Sequence, residues 1–451
     1  EETIQERSYR TIPQVLRNIP GVLVQETAHG QGSPYIRGFT GFRNLLLIDG
    51  VRLNNSVFRE GPNQYWNTVD ALALERIEVV RGPSSVLYGS DSIGGTVNAM
   101  TSSPFSFDVG GAGTAIGSEL YYRVSSSEES HIARLETAAI FEDSLGVLLG
   151  VTGKHFGDLQ GGRDIGTQPN TGYDEWDADL KLESFLDADT RLVFAYQKVR
   201  QNDVPRTHRT VFAVPFEGTS IGTDLKRDLD QERELAYAQL HGEDLDAFFD
   251  RYTLSLSWHA QEELRDRIRG NGNRDKQGFD VGTLGLFGHF SSPTSLGRLT
   301  YGFDYYRDDV DSFSSTEPIQ GPVGDDATYD LFGLFLQDEL AVAERLDLTL
   351  GARFQHAVAD ADSVLDPALG VPIAIEDDWS TVVGSARLLY DLIDERVNLF
   401  AGLSQGFRAP NLSDLTRFDS ARTDEFEIPA PGLDPEHSLT YEAGVKTRGA
   451  H

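Results

Sequence analysis

The sequence predicts a mainly β fold: a transmembrane antiparallel β-barrel preceded by a small α/β domain over residues 1–102. Three observations carry this reading. From about Pro104 onward, segments alternate apolar and polar residues with a period of two. The connections between them alternate short and long, as in barrels whose tight turns face one side of a membrane and whose loops face the other. Residues 1–102 instead mix one helical stripe with short apolar runs and turn signals.

Composition admits this fold. With 451 residues, 39% hydrophobic and 24% charged, the chain has the balance of a soluble protein. A barrel strand, however, needs only about ten residues, of which alternate ones face lipid. No run of about 18 apolar residues occurs, which excludes a helical membrane protein. The 45 glycines and 10% aromatic content fit the barrel class, and the absence of cysteine removes thiolate metal sites and disulfides. A formal net charge of -32 argues against binding nucleic acid, whose backbone would be repelled. No signal peptide is visible at Glu1, so a mature or trimmed chain is expected.

The elements follow in order. In Thr11-Ile-Pro-Gln-Val-Leu-Arg-Asn-Ile-Pro20, Thr11 can cap a helix and Pro13 suits its first turn, while Ile12, Val15, Leu16 and Ile19 share one face. Gly21 ends that helix and Val22-Leu-Val24 reads as a strand. Leu45-Leu-Leu-Ile48 is a second strand, and Asp49-Gly50 is a strong hairpin signal leading into Val51-Arg-Leu53. Residues 73–98 read as an apolar strand, a Gly-Pro turn, a short helix and a glycine-rich turn. Gly50, Gly82, Gly89, Gly94 and Gly95 are expected at turns with positive φ.

Beyond Pro104, Trp176–Glu183, Tyr252–Trp258 and Leu346–Phe354 alternate along their whole length. Glu142-Asp-Ser144 and Asp187-Ala-Asp189 are tight connections, whereas Gly157 to Gly172 and Gln201 to Asp230 are long. The count is about 14 strands of roughly 10 to 14 residues each between Pro104 and Arg448. A soluble β-sandwich would alternate in the same way, but rarely needs so many strands in one sheet.

Several separated motifs occur along the chain: Leu16-Arg-Asn-Ile-Pro-Gly-Val22, Ile36-Arg-Gly38, Leu47-Ile-Asp-Gly-Val-Arg-Leu-Asn54, Glu75-Arg-Ile-Glu-Val-Val-Arg-Gly-Pro83, Leu87-Tyr-Gly-Ser-Asp91, Phe407-Arg-Ala-Pro410 and Pro435-Glu-His-Ser-Leu-Thr-Tyr-Glu-Ala-Gly444. With these motifs in this order, the chain resembles the TonB-dependent outer-membrane receptors of Gram-negative bacteria over nearly its whole length. The resemblance implies residues 1–102 as a plug inside a barrel of 22 strands begun by residues 103–451. It also implies an integral protein of the bacterial outer membrane, in contact with lipid and lipopolysaccharide and energised by TonB with its inner-membrane complex. Relative to that pattern the barrel is short by about eight strands. No TonB box is visible in Glu1 to Arg10, and His451 does not end a terminal aromatic strand. A fragment, or a barrel completed by a second chain, is therefore expected.

The resemblance also assigns site residues. Arg37 and Arg81 are the plug arginines expected to dock on barrel glutamates, and Glu442 is the matching wall position. Strand alternation agrees, since Leu439, Tyr441, Ala443 and Val445 share one face and Glu442 lies on the other, toward the lumen. The alternative is that Arg37 and Arg81 knit only the plug's own loops. Substrate contacts are expected from Val57-Phe-Arg-Glu-Gly-Pro-Asn-Gln-Tyr-Trp66, with Arg59, Tyr65 and Trp66 foremost, because arginine and aromatic rings hold an anionic chelate or a flat ring. The same loop can instead serve as an interface with the wall.

His29, in Ala28-His-Gly-Gln-Gly32, is either an axial haem ligand or a solvated loop residue. Haem-binding relatives carry a histidine after the Phe-Arg-Ala-Pro motif, and Asn411 to Pro431 has none. Asp360, Asp362 and Asp366 are read as one long loop with no defined calcium cage. Gly111-Ala-Gly113 lacks the helix and lysine of a phosphate loop. No catalytic motif occurs, so no enzyme and no resident cofactor are expected. The expected function is import of a scarce nutrient, with an iron–siderophore complex first, haem next, and cobalamin, copper and glycans behind. A surface adhesin is the non-transport alternative, and a secreted β-rich hydrolase a third class.

Overall fold

The computed structural model describes residues 2–107, 113–142, 144–215, 220–393, 396–420 and 426–448. Gly111, Ala112 and His451, with Asp143 of one tight turn and parts of two long loops, lie outside the described residues. The N-terminal domain comprises α1 (Glu2–Glu6), α2 (Ile12–Leu16), β1 (Val22–Ala28), β2 (Gln31–Ile36), β3 (Asn44–Ile48), β4 (Val51–Arg52), β5 (Leu74–Arg81), α3 (Ser85–Tyr88) and β6 (Gly95–Thr101). Its main sheet has the order β4-β3-β6-β5, with β3 and β6 parallel, while β1 and β2 form a separate hairpin. Every residue of β3 is buried, as a central apolar strand covered on both faces requires. Asp49 at φ 48 and Gly50 at φ 81 make the hairpin turn that the sequence signals.

Three local expectations are revised. Helix α2 is only five residues long and Thr11 makes no side-chain cap, although Ile12 and Leu16 are fully buried. Strand β2 forms despite Pro34, because it pairs with β1 alone and one edge of the hairpin needs no donor. Gly94 and Gly95 do not have positive φ. A Cβ on Gly94 would lie 2.2 Å from Asn44 Oδ1 and one on Gly95 would lie 2.5 Å from the Val80 carbonyl, so they serve close packing.

The wall begins with β7 (Thr114–Ser125), β8 (Ser130–Phe141) and β9 (Leu145–Phe156); a loop hairpin of β10 (Leu159–Gln160) and β11 (Thr167–Gln168) follows. It continues through β12 (Tyr173–Phe185), β13 (Thr190–Pro205), β14 (Lys226–Gly242), β15 (Arg251–Ile268), β16 (Arg274–Pro293) and β17 (Gly297–Ser314). Strands β18 (Asp325–Ala343), β19 (Leu346–Asp366), β20 (Val371–Ile393) and β21 (Val397–Arg408) come next. After helix α4 (Leu412–Thr416) and a second loop hairpin, β22 (Asp419–Ser420) with β23 (Phe426–Glu427), the wall ends in β24 (Glu436–Thr447). The wall strands form one antiparallel sheet of 14, each bonded to its sequence neighbours, with β7 and β24 at the two ends of the order.

Strands β14 to β20 run 17 to 23 residues, longer than expected. About ten residues cross the bilayer core, so the surplus carries the sheet beyond it. Asp360 and Asp362 lie within β19 and Asp366 ends it, which removes the long loop read there.

Burial settles which way the alternating strands face. In β15, Leu254, Leu256 and Trp258 are 37%, 55% and 47% exposed, whereas Ser255, Ser257 and His259 are buried. Apolar side chains therefore point outward and polar ones inward against the plug, the reverse of a soluble sandwich. Tight turns such as 294–296 and 344–345 lie on one side, and the long connections 157–172, 206–225 and 409–435 on the other.

Candidate functional site

Ion pairs hold the plug to the wall at several places, among them Arg10 with Glu128 at 2.6 Å and Asp49 with Lys181 at 3.8 Å. The turn after β2 is made by Arg37 at φ 51 and Gly38 at φ 89, which aims the Arg37 side chain at β24. Arg37 Nη2 donates to Glu442 Oε1 at 2.8 Å. Room for the guanidinium comes from Gly82, where a Cβ would stand 2.8 Å from Arg37 Nη1. Leu439, Tyr441 and Val445 face outward, so Glu442 points to the lumen as the alternation requires.

Arg81 departs from the expected docking on a barrel glutamate. Its Nη1 donates to the Pro20 carbonyl at 2.5 Å, closing the plug's own loops. The wall contact is made instead by Arg43, whose Nε and Nη2 grip Glu436 at 2.8 and 2.9 Å in the fork geometry suited to carboxylates. Arg408, of the Phe-Arg-Ala-Pro motif, shares Glu436 at 2.7 Å and stacks over Phe42 at 3.7 Å.

Opposite this arc, Asp70 of the plug enters a buried cluster. Its carboxylate lies 3.0 Å from Lys154 Nζ of β9 and 3.4 Å from Arg134 Nη1 of β8, and accepts from Thr152 Oγ1 at 2.6 Å and from the Leu72 amide at 3.1 Å. No sequence motif singled out these residues.

On the long-loop side, the plug and wall enclose a cavity of about 530 Å³. Plug residues Gln25, Thr27, Arg59 and Gln64 form its floor, and the loops supply Arg206, His208, Arg209, Arg417, Ser420 and Glu427, with Arg227 from β14. Five arginines thus face two lining carboxylates, Glu60 and Glu427, in a chain that is strongly acidic overall. Some are compensated: Arg227 by Asp224 at 3.5 Å, Arg417 by Glu427 at 2.7 Å.

Arg59 bonds the neutral side chain of Gln64, and Arg206 has no ion pair and no partner for Nε among the described residues. Burial and the neighbouring charges of Arg59 and Arg227 push the Arg206 pKa well below the ordinary arginine value, whereas for Arg59 the charges of Tyr65, Glu263, Asp419 and Glu427 outweigh burial and raise it.

Of the expected substrate contacts, only Arg59 lines this cavity. Tyr65 and Trp66 sit in a buried 3-10 turn; Tyr65 stacks on Phe58 at 4.4 Å and meets Phe279 of β16 edge-on at 6.4 Å. Tyr65 packs against the wall, and Trp66 is fully buried.

His29 is buried, not solvated. Its Nδ1 lies 2.8 Å from Arg10 Nη1, which also reaches Glu128, and its ring stacks on Phe156 at 5.7 Å. Burial and the Arg10 charge push its pKa down to about 4, so the imidazole is neutral and faces the wall rather than the basic cavity. Among the described residues no cluster of three or more His, Asp or Glu side chains is arranged to hold a metal, Asp360, Asp362 and Asp366 included.

A plug pinned by ion pairs inside a sheet whose apolar faces point outward, with long loops over a basic mouth, defines an outer-membrane receptor of the plug-and-barrel class. Residues 1–96 match the TonB-dependent Receptor Plug Domain and residues 152–450 match the TonB dependent receptor-like, beta-barrel model. The chain belongs to the TonB-dependent receptor family, whose members are outer-membrane receptors and transporters rather than enzymes.

Among its relatives, the Ferric enterobactin receptor of Pseudomonas aeruginosa is 26% identical over 473 residues, covering 90% of this chain and 57% of the relative. The Vitamin B12 transporter BtuB of Vibrio vulnificus is 32% identical over 152 residues, 32% of this chain and 24% of that protein. The chain thus spans a quarter to little more than half of these relatives. Two solved structures share the fold. The Serratia marcescens hemophore receptor HasR matches with a TM-score of 0.80 at 19% identity, over 99% of this chain and 68% of HasR. The copper transporter OprC matches with a TM-score of 0.77 at 17% identity, over 97% and 68%.

Proposed function

We propose that this receptor captures an anionic metal chelate, foremost a ferric siderophore, at its outer mouth and passes it inward when TonB acts on the plug. The observation that carries the reading is the pair of arginines, Arg59 and Arg206, which have no ion pair among the described residues in the basic cavity. A catecholate or carboxylate chelate supplies the missing anionic oxygens in the planar arrangement that a guanidinium fork grips. The 90% coverage by a ferric enterobactin receptor supports the same cargo class. Docking of the plug through Asp70, Arg43 and Arg37 supports transport over adhesion, because a surface-binding protein gains nothing from a plug held inside its wall.

Growth of a deletion strain on single iron sources tests the reading. The strain is expected to fail on a ferric catecholate and to recover when the gene is restored. Equal growth of mutant and parent on every iron source tried sinks the iron assignment.

A further inference from the structure

Among the described residues, charged docking is confined to two arcs of the plug's circumference: along β7 to β12, Arg10 with Glu128, Asp70 with Lys154 and Arg134, and Asp49 with Lys181, which also donates to Thr101; and on β24, Arg37 and Arg43 with its glutamates. Between them, from β15 to β18, no ion pair joins plug to wall among the described residues. Contact there includes single hydrogen bonds, Asn55 Nδ2 to Gln261 Oε1 at 3.0 Å, the Ser56 amide to Asp308 Oδ2 at 2.7 Å and Gln64 Nε2 to Glu263 Oε2, and the Tyr65–Phe279 ring contact.

The same arc is hollow. On the tight-turn side a cavity of about 310 Å³ separates plug residues Leu45, Asp49 and Asn98 from Phe287, His289 and Asp304 of the wall. A smaller void of about 20 Å³ continues it toward the outer mouth, sharing Arg52 and Tyr306 and reaching Asn55 and Asp308. The charges that line this path are internally satisfied: Arg353 holds Asp304 at 2.6 Å, Arg52 holds Asp91, and Asp49 accepts from Tyr237 and Thr101 at 2.5 Å each. An anion tethered by the unpaired arginines above would find no free cation here to retain it.

We infer that the inner cavity is the exit vestibule for the anionic chelate, and that the passage opens by parting plug residues 52–65 from β15–β18 while the two ion-paired arcs stay docked. This rests on the import reading above. The parted contacts are the neutral or single-charge hydrogen bonds and one apolar seam, weaker than the charge-assisted pairs that flank them.

No cysteine occurs in these 451 residues, which makes the test direct. Asn55→Cys with Gln261→Cys places one thiol on each side of the seam, and Thr101→Cys with Lys181→Cys does the same at an arc expected to stay docked. Each pair is bridged in cells by a short bifunctional methanethiosulfonate, and binding and uptake of radiolabelled iron as a ferric tris-catecholate are measured before bridging, after it, and after reduction. Bridging the seam is expected to abolish uptake without altering binding, reduction to restore it, and bridging at Thr101 and Lys181 to leave uptake intact.

Uptake that survives the seam bridge, or that is lost equally with the Thr101–Lys181 bridge, overturns the inference and leaves the import reading standing. An unbridged receptor that binds the chelate but never imports it overturns the import reading, and the exit route with it. If the first pair fails to assemble, Ser56→Cys with Asp308→Cys probes the same seam with the same two outcomes.

Discussion

Replacing Asp70 by asparagine keeps the side chain's shape while removing the plug's charge from the buried cluster, and its effect can be sized from the contacts. Lys154 and Arg134 are each almost fully buried, so a complete loss of anionic partners would cost about 3 to 5 kcal/mol. Neither is stranded in the variant. Lys154 keeps Glu175 at 2.6 Å and Asp177 at 2.9 Å, and Arg134 keeps Asp179 at 2.8 Å and Glu136. The loss falls to that of hydrogen bonds to charged groups, about 2 kcal/mol, or roughly a 30-fold rise in the undocked population.

The Arg37–Glu442 pair is 34% and 43% exposed, and solvent screening holds Arg37→Ala to less than about 1 kcal/mol. Opening frequency in planar bilayers reads both. Asp70→Asn should open far more often than the parent, and Arg37→Ala only slightly more. A silent Asp70→Asn variant, or one outdone by Arg37→Ala, refutes the reasoning that burial sets the strength of each latch.

Further outcomes follow from the same contacts. Burial pushes the Asp70 carboxyl up, but the Lys154 and Arg134 charges and the Thr152 hydrogen bond outweigh it and hold the group below its usual range. A depressed carboxylate stabilises docking at all pH above its unfolded value and loses that contribution only as pH falls through the folded one, so Asp70-dependent docking should persist at about pH 5 and fail in stronger acid. His29 has the opposite charge type and a folded pKa of about 4, below its ordinary 6.5, so its contribution is lost as pH falls across that interval; hydrogen exchange of residues 9–32 should quicken there, and His29→Leu should abolish the pH response. Gly82→Ala combines a φ of 95 with a Cβ 2.8 Å from Arg37 Nη1, and should lower the melting temperature through a cost of about 1 to 2 kcal/mol, whereas the alanine control at Gly153, which has open space, should cost less. Arg206→Ala should weaken ferric catecholate binding by roughly 10- to 100-fold and flatten its dependence on salt, as read by titration.

The strand grammar was legible because a barrel wall repeats one local rule, and Tyr252–Trp258 shows both faces of it in seven residues. Arg37 and Glu442 were legible because each lies in a motif, and Glu442 also on a definite face of β24. Arg81 was not, since its reach to the Pro20 carbonyl depends on how the α2 turn folds back on β5. Tyr65 and Trp66 have the chemistry of ligand contacts, and only the wall around them shows that they are interior. The basic cavity was hidden for a different reason. Arg59, Arg206, Arg227 and Arg417 come from four distant segments of an acidic chain, and only Val204-Pro-Arg-Thr-His-Arg209 marks the place as a local cluster of basic residues.

Competition between an anionic and a neutral iron chelate tests the central claim most directly. Quenching of intrinsic fluorescence in the purified receptor gives affinities for a trianionic ferric tris-catecholate and an uncharged ferric trihydroxamate of similar size. The unpaired arginines of the outer cavity predict that the catecholate binds more tightly and that the Arg59→Ala, Arg206→Ala double variant erases the preference. Equal affinity for the two chelates, or a preference that survives the double variant, contradicts it.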